Sequence, residues 1–197
     1  MAAQEAASTR RITFTKILKG SSPEYLAISV DDGGKGTYDS HKLDEQATPR
    51  PLQISADTTQ QIFSLAESLN HLQSSDLESR HKVANMGLKT LTYEAGKERH
   101  QVQYNYTENR PAQQLTALFE KISNVEEHIV QLEYEMKYDH LNLPQTLALV
   151  QGDMAEHNLV EPALLLPTLE KISNNPRFMH LAKSRAEQIM SSIKEHK

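Results

Sequence analysis

Cysteine is absent from this 197-residue chain. That removes disulfides, zinc–thiolate sites, iron–sulfur clusters and a thiol nucleophile in one step. Positive charge is not in excess either. Lys and Arg number 21 against 26 Asp and Glu, for a formal net charge of −5. This argues against a general phosphate-backbone binder, and so against a nucleic-acid partner. No run of about 18 apolar residues occurs, so no helical membrane span is expected. Hydrophobic residues make up 38% and charged residues 24%, which suits a folded chain rather than a disordered one. A chain of this size buries roughly 70% of the surface its unfolded form exposes and needs no staples.

Several catalytic patterns are missing as well. Gly33-Gly-Lys-Gly-Thr37 invites a phosphate-loop reading, but that loop needs Ser or Thr after the Lys and a helix beyond it. Here Gly follows the Lys, and a hairpin turn needing positive φ accounts for the glycines. Glu126-Glu127-His128 lacks the second His of a zinc-hydrolase helix, and no G-x-S-x-G elbow occurs. One metal candidate stands. Asp153, Glu156 and His157 share a helical face at i, i+3, i+4, with Asp139-His140 able to approach, an oxygen-and-nitrogen set suited to a divalent ion. Chance spacing on a charged helix explains the set equally well, so no cofactor and no metal site is assigned.

The opening, Met1 to Arg11, has no apolar h-region and reads as a flexible tail. Small and polar residues of this kind follow cleavage sites, which leans the reading towards an exported chain lacking its signal peptide. A cytoplasmic chain is the alternative.

Residues 12–108 read as an α+β domain. Ile12–Leu18 and Tyr25–Val30 are strands, the second with Leu26, Ile28 and Val30 on its core face. Asp31-Asp-Gly-Gly34 turns the chain into a strand near Gly36–Ser40, closing a hairpin. Leu52 and Ile54 suggest a short third or edge strand. Ser55 or Asp57 caps a helix to about Leu72, Asp57 and Gln60 being spaced as in a capping box. Leu77–Gly87 has no clear period. Lys89–Glu94 and Arg99–Thr107 form a second hairpin, the latter alternating Val102, Tyr104, Tyr106 with Gln101, Gln103, Asn105.

Residues 109–197 read as all-α, about four helices. Asn109 caps and Pro111 opens a long helix to about Tyr138. Leu115, Leu118, Ile122, Val125, Ile129, Leu132 and Met136 repeat as a strict a/d seam. Three shorter helices start at Pro144, at Pro162 (with Pro167 kinking it or shifting its start) and at Asn175-Pro176. The last carries Phe178, Leu181, Ala182, Ile189 and Ile193. Leu118–Asn124 echoes Thr168–Asn174, read as two helix ends of similar chemistry. The fold class is therefore α+β: a small antiparallel sheet of two hairpins with a packed helix, then the helical region.

The most basic stretch is Arg80-His81-Lys82 through Lys89. With Lys97 and Arg99 it forms the candidate interaction surface, a mixed basic and apolar loop on a rigid sheet. Tyr93, Tyr104 and Tyr106 suit cross-strand aromatic pairing better than base stacking, given the acidic balance.

The Gly-rich hairpin Asp31–Gly36, the amphipathic helix Asp57–Leu72, the hairpin Thr92-Tyr93 to Tyr106 and the Pro111-opened helix with Leu115 and Leu118 resemble the layout of emfourin-type proteins. That group contains inhibitors of thermolysin-like metalloproteases. The resemblance covers residues 12–123 and implies a binding module. The chain also resembles uncharacterised exported bacterial proteins. The leading expectation is a non-enzymatic protein-interaction module acting on a protein partner, itself a monomer or weak homodimer. Its rivals are a structural protein assembling through the 115–136 seam and a metal-dependent enzyme.

Overall fold

The structure, a computed structural model, describes residues 9–73 and 76–195. The chain divides into two compact units, one ending at Phe119 and the other beginning at Glu120. The division falls inside the long helix rather than at residues 108 and 109, where the sequence suggested it. Residues 1–8 of the expected tail lie outside the described residues. Arg10 and Arg11 are not tail but the start of the first strand.

In the first unit, strands β1 (Arg10–Ile17), β2 (Tyr25–Asp31), β3 (Lys35–His41), β4 (Arg50–Gln53), β5 (Leu88–Ala95) and β6 (Glu98–Tyr104) form one antiparallel sheet. Its order is β4-β3-β2-β1-β5-β6. The two expected hairpins are joined because β1 pairs with both β2 and β5. Alternation then sorts the side chains into rows. On the core face Leu52, Gly36, Val30, Ile12 and Tyr93 line up, and beside them Tyr38, Ile28, Phe14, Leu91 and Val102. The opposite face is small and polar, with Thr37, Ser29, Thr13, Thr92 and Gln101 in one row. This is the one-wet-face pattern of antiparallel sheets.

Gly34 has φ +78° in the β2–β3 turn, as the turn reading required. Gly36 is needed for a different reason: a Cβ there would run into the Ser29 carbonyl. Tyr93 and Tyr104 do not pair with each other across the strands. Their partners in register are His100 and Lys89, and both rings are buried in the core.

Helix α1 (Ala56–Ser68) is capped by Ser55, whose side chain accepts from Thr58 N. Asp57 sits in the first turn, favourably placed towards the helix dipole. The helix stops four residues before Leu72, because Asn70, His71 and Leu72 all take positive φ. Helix α2 (Arg110–Tyr138) starts as expected, with Asn109 Oδ1 accepting from Ala112 N at 3.2 Å. Within the first unit, α2 stacks Phe119 on Phe14 with ring centroids 5.4 Å apart. Tyr104 and Thr116 share a buried hydroxyl–hydroxyl bond.

The second unit holds the rest of α2 with α3 (Leu143–Ala155), α4 (Leu166–Asn174) and α5 (His180–Glu195). Its core gathers Val125, Ile129, Leu132, Leu143, Leu147, Val150, Leu165, Leu169, Ile172, Phe178, Ala182, Ala186, Ile189 and Ile193. Pro167 shifts a helix start: a 3-10 turn, Pro162–Leu165, precedes α4. Leu181, expected inward, is exposed, and Ala186 takes the inner position. The echo Leu118–Asn124 lies mid-helix in α2, while Thr168–Asn174 ends α4. What the copies share is a fully buried pair, Phe119/Ile122 and Leu169/Ile172, not a helix end.

The a/d seam is wider than a zipper stripe. Leu115, Ile122, Val125, Ile129 and Leu132 are buried, but so are Phe119 and Glu126 outside the seam, while Leu118 is only half-buried. A stripe of that width is the core face of a globular helix. These side chains are covered by the chain itself.

Candidate interaction surface

The segment from Asp76 to Gly87, irregular throughout, is anchored near both ends. Glu78 Oε2 accepts from Asn105 N at 2.6 Å, and Ser79 N donates to Tyr106 O at 2.8 Å. Asn105 clasps the far end: its Oδ1 accepts from Met86 N at 2.7 Å and its Nδ2 donates to Ala84 O at 2.9 Å. Gly87, at φ +94°, turns the chain into β5. Leu77 is buried beneath.

Lys89 completes the anchoring, and this places it differently from the sequence reading. It alternates with Leu91 and Tyr93 on the core face and is 6% exposed. Its Nζ donates to Asn105 O at 2.8 Å and to the Met86 and Gly87 carbonyls at 3.4 Å each. A buried ammonium needs such acceptors to offset lost hydration. Lys89 therefore holds the loop from inside and contributes nothing to its outer surface.

What the loop shows to solvent is mixed. Arg80, His81 and Lys82 are exposed, and His81 Nε2 lies 3.5 Å from Glu108. Beside them Val83, Met86 and Leu88 are exposed at 36%, 49% and 43%. An ordered backbone carrying solvent-facing apolar groups among cations has the composition of a docking surface. Lys97 and Arg99 are not part of it. They sit at the other end of the β5–β6 hairpin, roughly 25 Å along the strands, where Arg99 Nε meets Glu94 Oε1 at 3.2 Å. Of the residues singled out from the sequence, Arg80, His81 and Lys82 are exposed on this loop. Val83, Met86 and Leu88 lie in the same mixed basic and apolar stretch but were not singled out.

A concavity of about 610 Å³ flanks α1 and includes Arg10, Asp32, Gln60, Phe63, Glu67 and His71 in its lining. Arg10 Nε reaches Asp32 Oδ2 at 3.2 Å, and its guanidinium lies 5.2 Å from the Phe63 ring centroid. The His71 ring lies tilted against Tyr93, with ring centroids 4.7 Å apart. Burial pushes the Tyr93 phenol above its ordinary pKa, with the Arg10 charge opposing. The cleft offers both charge signs and one aromatic face. No His–hydroxyl hydrogen bond activates a nucleophile among its described lining residues. Nothing in the sequence announced it, because its residues come from three separate segments.

In the second unit the metal candidates separate. Asp153 Oδ2 is bonded to His128 Nε2 at 2.7 Å, and its Oδ1 to Asn158 Nδ2 at 3.3 Å. His157 takes φ +57° in the turn after α3 and is exposed. Among the described residues no group of three or more His, Asp or Glu converges on one point. Glu135 is also buried, at 1% exposure. Its Oε1 accepts from Gln131, Asn142 and Thr146, each at 2.7 Å. That bonding ties α2 to the start of α3, an architectural use.

Compared with known proteins, the chain matches no family model, and no curated sequence matches it. The case for a function therefore rests on geometry.

Proposed function

We propose that this chain is a non-enzymatic protein-interaction module whose α+β unit docks a protein partner through residues 80–88. The observation that carries the reading is the anchored loop with exposed Val83, Met86 and Leu88 beside Arg80, His81 and Lys82. Ordering a loop costs about 1–2 kcal/mol per residue, and Glu78, Asn105 and Lys89 meet that cost before any partner arrives. A preordered apolar centre with a cationic rim suits a partner with an apolar patch and carboxylates around it. The layout resemblance over residues 12–123 supports a binding module in kind, without naming a partner.

The test is affinity capture from extracts of the source organism with wild-type protein, a double variant Arg80→Glu/Lys82→Glu, Met86→Ser and the cleft variant Phe63→Ala. A protein retained by wild type and Phe63→Ala, and lost by both loop variants, is the expected result. Retention by the loop variants would move the site elsewhere.

A further inference from the structure

The two edges of the sheet are unlike. β4 is four residues long and carries Pro51, which has no N–H to offer. β6 is seven residues long, with no Pro, Gly or bulge. Natural sheets blunt their edges by shortness, Pro, charged side chains, bulges or cover. β4 is blunted by shortness and by Pro; β6 has neither, and its exposed charges, Glu98 and Arg99, sit only at the turn end.

Which groups β6 presents follows from its turn. Gly96-Lys97 is a two-residue turn, with Gly96 at φ +60° and Ala95 opposite Glu98. In such a hairpin the flanking pair exchanges both hydrogen bonds, and bonded pairs then alternate with unbonded ones. His100 and Val102 therefore bond to β5. Arg99, Gln101 and Gln103 aim N–H and C=O away from it. All three residues are exposed, and their side chains lie on the uncovered polar face.

We propose that β6 pairs antiparallel with β6 of a second copy of this chain, in the register that sets Gln101 opposite Gln101. That register places Arg99 opposite Gln103 on both sides of the two-fold axis. Each of the three outward residues then exchanges both of its bonds. Shifting by two residues in either direction leaves one of the three without its full partner. The charges agree with the same choice: Glu98 faces Tyr104 and His100 faces Val102, and no like charges are opposed. The partner is thus the strand's own copy, by self-complementarity of bonding in a register that opposes no like charges. This interface does not involve the buried seam of α2; its register brings Lys97 of the second copy opposite Asn105, which anchors the 80–88 loop.

A single strand pair buries less than the roughly 1,200 Å² of a stable interface, so the dimer is weak and concentration-dependent. Sedimentation of the full chain from about 10 µM to about 1 mM should show it. Over that range, amide exchange at Arg99, Gln101 and Gln103 should slow, while His100 and Val102 stay as protected as they already are. Gln101→Lys and Gln101→Glu each place like charges across the axis and should raise the dissociation constant about tenfold or more. An equimolar mixture of the two should restore dimer. Both substitutions are at an exposed position, and circular dichroism confirms that the variants fold. A chain that stays monomeric throughout overturns the proposal, including the case where β6 takes up a strand of another protein instead. So does a dimer indifferent to both substitutions, or a mixture that behaves like its components.

Discussion

Replacing Phe119 separates the globular reading of α2 from the zipper reading. The strict a/d seam includes Leu118 and leaves Phe119 outside it. The structure reverses their weights: Phe119 is fully buried and stacked on Phe14, with an interplanar angle of 5°, while Leu118 is half-buried. Phe119→Ala removes a complete ring from a packed site and should cost about 3–5 kcal/mol. Losing the stack pushes the value to the upper end, since aromatic pairs add about 0.5–1.5 kcal/mol beyond burial. Leu118→Ala removes a side chain already half in water and should cost about 1–2 kcal/mol. At roughly 2–4 °C per kcal/mol for a chain of this length, the first variant loses about 6–20 °C and the second a few degrees. Calorimetry is the suitable assay, because two compact units can melt separately and a single midpoint then has no clear meaning. Leu118→Ala costing as much as Phe119→Ala would refute the assignment of the buried stripe.

Ile129→Ala should cost about 2–5 kcal/mol, because Ile129 sits in the core of the second unit, and light scattering should give the wild-type mass at equal concentration. Glu24 is held below the ordinary carboxylate pKa, first by hydrogen bonds from Gly20 N and Leu43 N and further by Lys42 and Lys19. Its contribution is therefore complete above the ordinary carboxylate value and lost as pH falls through the lower folded-state value; Glu24→Gln should flatten that acid limb in a melt-versus-pH series, and an unchanged limb would remove Glu24 as a contributor. Melts in excess zinc, manganese or calcium should match those in chelator, since Asp153 is engaged by His128 and Asn158. An ion at 100 times its dissociation constant would add about 2.7 kcal/mol, so a gain of several degrees that Asp153→Ala abolishes would revive the metal reading.

Local pattern carried most of the fold. Alternation in Tyr25–Val30 identified the core face, and Leu26, Ile28 and Val30 are all buried. Asn109 and Pro111 marked the start of α2 to within a residue, because caps are chemistry of adjacent residues. The joining of the hairpins was not legible. It depends on β1 accepting a partner on each side, one of them across a separation of about eighty residues, and no local feature of Ile12–Ile17 encodes that. The end of α1 was hidden for a similar reason. Asn70, His71 and Leu72 hold left-handed conformations that non-glycine residues disfavour, and the tilted His71–Tyr93 ring contact and buried Leu72 are among the contacts made there.

Lys89 shows how composition and position compete in reading a surface. Counted as a charge, it joins Arg80, His81 and Lys82 in a basic cluster. Counted by strand parity, it stands with Leu91 and Tyr93 and must point into the core. Parity wins, because moving one side chain to the other face would require a bulge or a slip of the whole β5 register. The charge is then retained by using it: three carbonyls from the loop and from Asn105 accept from the ammonium. The same lysine that was assigned to the binding surface thus fixes the backbone that presents it. A substitution such as Lys89→Met should loosen residues 84–87 while leaving the exposed side chains chemically unchanged. Accelerated amide exchange at Met86 and Gly87 in that variant, with β1–β2 protection intact, is the expected outcome. Unchanged exchange there would mean that Asn105 and Glu78 suffice to order the loop, and that the buried cation serves the sheet alone.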